Sequence, residues 1–187
     1  MNTATPAPTY TPVARLLHWV IAGLIVVQYV LANLAEDSPS KLQQLALLAR
    51  HKSFGMTILM LAILRLLWRL FHRAPELPDS MKPWERRLAT LTHGIFYFLL
   101  FAMPLAGWFM SSARNISVSW FDLFTWPDLI PVNKAAFKFF DTAHTVMAKA
   151  LFVLAILHIL AALKHYLVDK DDVMQRMLPA LTRWSRS

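Results

Sequence analysis

Long apolar segments joined by short polar connections dominate the pattern of this chain. Residues 16–35 carry no charged side chain, and a helix of that length spans about 30 Å, the thickness of a bilayer's hydrocarbon layer. A second apolar segment occupies residues 51–71. A third, at 93–113, contains Pro104, which a membrane helix tolerates as a kink.

The fourth apolar segment is the least regular. Only residues 150–163 are uncharged, and extending the segment to 143–168 admits Lys149 and Lys164, which can snorkel from near its ends. We therefore predict an all-α fold, an integral membrane four-helix bundle in a single domain, 1–187. The predicted helices cover about 14–35, 51–71, 92–113 and 143–168, with a periplasmic loop at about 114–142.

The distribution of basic residues predicts the orientation. Lys and Arg are concentrated in the N-terminal flank, the connection between the second and third segments, and the C-terminal tail. Cytoplasmic connections carry this excess, so both termini should be cytoplasmic. The aromatic residues of the long third connection indicate an interfacial belt or, alternatively, a cap over a periplasmic site.

Composition narrows the chemistry. The chain is 57% hydrophobic and 16% charged, has a net charge of +8, and contains no cysteine. The absence of cysteine excludes disulfides, iron–sulfur ligation and covalent haem attachment through a C-x-x-C-H motif. The basic surplus of a membrane protein indicates anchoring and contact with lipid rather than nucleic-acid binding.

Histidines in the apolar helices are the main functional candidates, because ionisable residues within membrane spans are rare. His144 and His158 are fourteen residues apart on the fourth helix. At about 100° and 1.5 Å per residue they share one face and are separated by about 21 Å along the axis. Matching depths on the other helices pair His51 with His144 and His18 with His158. Each pair supplies the two axial nitrogens that a b-type haem uses for electron transfer, so we predict two haems.

Neighbouring residues fit the same arrangement. Gly55 lies one turn after His51, where a missing side chain would let a porphyrin approach. Arg65 and Arg69 share the face of His51 at the cytoplasmic level, where they suit haem propionates; the alternative is that they reach lipid phosphates. His93 is the competitor of His18 and could instead contact a propionate or a quinone; His18 is favoured because it lies deeper in its helix.

Three further basic residues have less defined roles. His72 should be interfacial, His165 should be structural or contact a propionate, and Lys149 has no evident role.

Several short motifs resemble the bacterial cytochrome b561 family of small dihaem membrane proteins. They are RLLHW at 15–19, HKSFG at 51–55, RLLWR at 65–69, THG at 92–94 and PLAG at 104–107, followed by His144 and His158. The resemblance implies a bacterial inner-membrane cytochrome with two haem b groups and ubiquinone as an electron partner. It is strongest to the type that oxidises superoxide and passes the electron to ubiquinone.

Two other functions remain as alternatives. The chain could be a haem-bearing subunit that carries electrons between a dehydrogenase, hydrogenase or periplasmic redox protein and quinone. A metal-handling transporter or membrane protease is more remote, because the apolar cores lack Asp and Glu and the chain has no H-E-x-x-H motif.

Overall fold

Four long helices form the protein in a computed structural model that describes residues 9–78 and 81–179. Each helix is long and apolar enough to cross a membrane, which confirms the predicted all-α four-helix membrane fold. The helices are α1 (Pro12–Glu36), α2 (Lys41–Phe71), α3 (Pro83–Ser112) and α4 (Lys134–Lys164), and a π-helical turn (His165–Asp169) extends α4.

Three of the helices begin well before the apolar segments that predicted them. They start at residues 41, 83 and 134 rather than near 51, 92 and 143. Hydropathy marks only the part of a helix within hydrocarbon, whereas the cap fixes where the helix begins. Ser40 and Asn133 cap α2 and α4 by accepting hydrogen bonds from backbone N–H groups, and a proline occupies the first position of α3.

The connection between α3 and α4 is shorter and more ordered than the predicted loop at 114–142. It ends where α4 begins, and it contains a β-hairpin of β1 (Val118–Trp120) and β2 (Phe124–Trp126). Phe121 and Asp122 make the turn with φ of 49° and 59°, a region that asparagine and aspartate enter more readily than most residues.

The hairpin packs on the bundle. Ser53 Oγ on α2 donates to the Ser119 carbonyl and accepts from the Phe121 N–H, both at 3.0 Å. Val118 is buried against Met56 and Leu59. The hairpin of the aromatic connection thus lies on α2, and the interfacial belt and the cap both stay predictions for this segment.

The helices pack as two pairs, α1 with α2 and α3 with α4, which meet mainly through α2 and α3. A core of Ile21, Ile58, Ala62 and Leu100 lies at this junction. Many large apolar side chains point outward on all four helices, which a bilayer accommodates and water does not.

Two ends of the bundle are distinguished below. The hairpin end contains the β-hairpin and the turn between α1 and α2. The terminal end contains the start of α1, the end of α2, the start of α3 and the end of α4.

Candidate functional site

The structure brings the four predicted ligands together as two pairs at two depths. Helix α4 carries one histidine of each pair, His144 toward the hairpin end and His158 toward the terminal end. Helix α2 contributes His51 and helix α1 contributes His18. Four of the chain's histidines therefore point between helices rather than toward lipid.

The hairpin-end pair has a spacing that fits a metal ion between two imidazoles. The ring centroids of His51 and His144 are 6.2 Å apart, with an angle of 70° between the planes. A metal–imidazole bond is about 2 Å and a ring nitrogen lies about 1.1 Å from its centroid, so two axial imidazoles place their centroids about 6.3 Å apart. The pair therefore fits the two axial positions of one haem.

The orientation of His144 is fixed by a backbone contact. Its Nδ1 lies 3.0 Å from the Met103 carbonyl, which can only accept, so Nδ1 carries the proton and Nε2 is left as the ligating atom. Gly107 makes room for this ring, because a Cβ at that position would lie 3.3 Å from His144 Cε1.

The terminal-end pair, His18 and His158, has centroids 6.4 Å apart at an interplanar angle of 75°. His93 also approaches His158, with centroids 5.7 Å apart, and its Nδ1 lies 2.7 Å from the Ala89 carbonyl. The 6.4 Å separation matches the expected spacing of about 6.3 Å more closely, so His18 remains the preferred partner.

One premise about His93 was wrong. Since α3 begins at Pro83 and α1 at Pro12, His93 lies further along its helix than His18 does. The depth of a histidine within its own helix therefore does not decide between them, because hydropathy placed the start of α3 too late. The separations from His158 favour His18 instead, and this pairing stays a prediction.

Two arginines of α2 line a cavity at the terminal end. Arg65 Nη1 donates to the Ala14 carbonyl at 2.9 Å, which ties α2 to the start of α1. Arg69 lies on the same cavity wall. The lining residues are Tyr10, Thr11, Ala14, Arg65, Trp68, Arg69, His72, Arg73, Ala74 and Tyr97. The cavity thus presents guanidinium groups at the terminal end, which suits carboxylates.

The remaining histidines lie outside the two pairs. His72 is exposed and stacks on Trp68 with centroids 3.9 Å apart. His165 is 9% exposed, and its Nδ1 lies 2.7 Å from Asp171 Oδ2 and 3.1 Å from Asp169 Oδ2. These contacts are those of a structural residue, which is one of the two roles predicted for His165; contact with a propionate is the other. Lys149 is exposed on the outer surface of α4.

The sequence analysis missed Gln28. Its Nε2 donates to the His51 carbonyl at 3.0 Å, and the same amide fills the space beside Gly55, where a Cβ would lie 3.0 Å from Nε2. Gly55 therefore makes room for a side chain of α1, a role not foreseen when a porphyrin was expected there. An amide inside an otherwise apolar span was the signal that could have identified Gln28.

Comparisons with known proteins show similarity over most of the chain. A family model described as prokaryotic cytochrome b561 matches residues 9–180. The chain is 35% identical over 128 residues to cytochrome b561 homolog 2 of Escherichia coli, covering 68% of each chain. It is 29% identical over 167 residues to the probable superoxide oxidase CybB of Yersinia pestis, covering 87% of this chain and 92% of that protein.

A third relative covers nearly the whole length of both proteins. The chain is 27% identical over 179 residues to cytochrome b562 of Cereibacter sphaeroides, covering 93% of this chain and 98% of that one. The similarity thus extends over all four helices.

Proposed function

This chain belongs to the prokaryotic cytochrome b561 family, as its motifs suggested, and from this premise we propose that it transfers electrons from superoxide to ubiquinone through two haem b groups. The family makes it a membrane b-type cytochrome. The number of haems, the donor and the acceptor are our proposal, and so is its place in the bacterial inner membrane.

The single observation that carries the proposal is the spacing of the two histidine pairs. His51–His144 and His18–His158 have centroid separations of 6.2 and 6.4 Å, and both match the spacing of about 6.3 Å expected of two axial imidazoles. Ring packing alone can also give such separations, so the support comes from finding the spacing in two pairs at two depths of one bundle. We assign one haem b to each pair.

Different side chains would ligate the iron and bind the haem propionates. When bound, haem b supplies the one-electron couple of its iron. His144 is held by the Met103 carbonyl and keeps Nε2 free for ligation. Arg65 and Arg69 at the terminal-end cavity would bind the propionates of the haem there.

From the distribution of Lys and Arg we infer that the hairpin end faces the periplasm and that both termini face the cytoplasm. Superoxide is an anion, so positive charge near the hairpin-end histidines would speed its arrival. Candidate residues are Arg50, Lys52, Lys134, Lys138 and Lys149. Of these, Lys52 has the best defined position, because its Nζ donates to the Ser117 carbonyl at 2.7 Å.

The overall reaction balances without any further reactant. Two superoxide ions each lose one electron and become O₂, and one ubiquinone takes up those two electrons and two protons from water to become ubiquinol. The protein supplies position and field, while the cofactor carries the electron chemistry. The name of the Yersinia pestis relative, a probable superoxide oxidase, supports superoxide as the donor.

A haem assay and a rapid-mixing experiment test the proposal in sequence. A pyridine haemochromogen assay on detergent-purified protein should give two haems b per chain. The oxidised protein should then be reduced by superoxide, with superoxide dismutase as the control that abolishes the signal, and reoxidised by added ubiquinone. Two haems without reduction by superoxide would favour the alternative, a haem subunit that accepts electrons from a protein partner. Absence of haem would overturn the proposal.

A further inference from the structure

Gln28 of α1 is hydrogen-bonded to the backbone of the predicted ligand His51. Its Nε2 donates to the His51 carbonyl at 3.0 Å. Gly55, one turn later on α2, leaves the space that this amide occupies, because a Cβ there would lie 3.0 Å from Nε2. A hydrogen bond therefore fixes the carboxamide of Gln28, and Gly55 leaves the space that the carboxamide needs.

Two buried polar atoms at this contact have no hydrogen-bond partner among residues 9–78 and 81–179. They are the carboxamide oxygen Oε1 of Gln28 and the ring nitrogen Nδ1 of His51. Buried polar atoms are almost always hydrogen-bonded, directly or through water. The carboxamide oxygen of Gln28 accepts hydrogen bonds, and Nδ1 of His51 can donate one. The two residues are already joined by a hydrogen bond, so each atom could supply the partner that the other lacks.

His144, the other ring of the hairpin-end pair, has a hydrogen-bond acceptor for its Nδ1 proton that His51 lacks among the described residues. His144 has an acceptor for its Nδ1, the Met103 carbonyl at 3.0 Å. A histidine that binds a metal through one ring nitrogen nearly always donates the other N–H to an acceptor, which fixes the tautomer and the ring plane. His51 lies 6.2 Å from His144 between ring centroids, yet no backbone carbonyl of the described chain takes its Nδ1 proton.

We propose that Gln28 is a positioning residue for His51, with its Oε1 accepting a hydrogen bond from the His51 Nδ1–H through one bridging water. This arrangement would hold the Nδ1–H tautomer of His51 and leave Nε2 to face His144. The inference rests on the proposed ligation of haem b by His51. It makes Gln28 the counterpart of the Met103 carbonyl on the other side of the pair.

The test replaces Gln28 in the haem-loaded protein and measures the two midpoint potentials. Gln28→Met removes the acceptor Oε1 and keeps a side chain of similar size. Gln28→Glu, as a neutral carboxyl, keeps one hydrogen-bond donor and one acceptor. Tyr29→Phe is the matched control, because it removes a neighbouring hydrogen bond on α1, from Tyr29 to the Ala148 carbonyl, without touching His51. His51→Ala identifies which potential belongs to the hairpin end.

In Gln28→Met we expect the hairpin-end potential to rise, because an imidazole that no longer donates from Nδ1 is a less basic ligand and stabilises ferric iron less. The expected change in the redox equilibrium is about threefold, or about 28 mV for a one-electron couple. The terminal-end potential should stay unchanged as an internal reference. Gln28→Glu and Tyr29→Phe should stay near wild type.

Several outcomes would overturn the inference. An unchanged hairpin-end potential in Gln28→Met would do so, as would an equal shift in Tyr29→Phe or in Gln28→Glu, because each would indicate a general disturbance of α1. If Gln28→Met does not accumulate, Gln28→Asn withdraws the amide by one methylene and carries the same expectation. Two haems with unchanged potentials would reject this inference alone, whereas wild-type protein with fewer than two haems would reject the proposed function together with it.

Discussion

At the scale of single residues, the function depends on where each imidazole and its nearest neighbours lie. His158 has two histidine neighbours, His18 at 6.4 Å and His93 at 5.7 Å between ring centroids. At the hairpin end, Gly107 leaves room for the ring of His144. The contribution of each contact can be tested with a pair of variants, because the chain offers a second histidine to compare with His18 and a second α3 glycine to compare with Gly107.

Replacing the two competitors for His158 should give different haem contents. We expect His18→Ala to retain one haem per chain, since His158 loses its axial partner, and His93→Ala to retain two. A pyridine haemochromogen assay on purified variants measures this directly. Loss of a haem in His93→Ala with retention in His18→Ala would reverse the assignment of the terminal-end pair.

Gly107 offers a second test at this scale. In Gly107→Val the added side chain would meet the ring of His144, whose Cε1 is already 3.3 Å from a Cβ at this position, so the hairpin-end haem should be lost or its absorption band shifted. Gly94→Ala is the control, because a Cβ there would find nothing within 4 Å. It should keep both haems and stabilise α3 by about 0.5–1 kcal/mol. Equal haem loss in the two variants would contradict the steric explanation.

At the scale of elements, the β-hairpin is the part of the connection between α3 and α4 that packs on α2. It is joined to α2 by Ser53 Oγ and by Trp120, whose indole N–H donates to Thr57 Oγ1 at 3.0 Å. These contacts come from side chains on one face of α2, in the two turns that follow His51. The hairpin is therefore held in place by the helix that carries a predicted ligand.

Removing the Ser53 hydroxyl should loosen the hairpin without unfolding the bundle. In Ser53→Ala the Phe121 N–H and the Ser119 carbonyl lose their partner, at a cost of about 1–3 kcal/mol if the atoms stay buried. Hydrogen exchange should become faster at the Phe121 amide and its neighbours. Thr90→Ala is the control, because within residues 9–78 and 81–179 its hydroxyl bonds only to the Arg86 carbonyl of its own helix. Unchanged exchange in Ser53→Ala would mean that packing alone holds the hairpin.

At the scale of the whole molecule, the terminal end is closed by segments distant in sequence. Arg176, which is 7% exposed, donates to the Glu76 carbonyl in the connection between α2 and α3 and pairs with Asp172 at 3.0 Å. Its own carbonyl accepts from the Tyr10 N–H. The segments at Tyr10 and Arg176 and this connection thus meet on one side of the bundle, which is why they should face the same compartment.

The predicted orientation can be tested because the chain has no cysteine. We expect a membrane-impermeant maleimide to label Asp128→Cys in intact cells and Arg87→Cys only after the membrane is permeabilised, since both positions are exposed but lie at opposite ends of the bundle. The reverse pattern would place the termini in the periplasm and overturn the orientation drawn from the basic residues.

The sequence by itself determined the four spans and the shared face of His144 and His158, because both follow from local rules, the length of an apolar segment and the period of a helix. It also selected His18 and His51 as candidates. It misplaced the starts of α2, α3 and α4, because hydropathy does not detect a helix that continues beyond hydrocarbon.

Only the tertiary structure decided which side chains meet. The separation of His18 and His93 from His158, the room that Gly107 leaves for His144, and the reach of Gln28 to His51 all depend on how separate helices are spaced and rotated against one another. Those quantities are set by packing over many residues, and no local pattern of the chain records them.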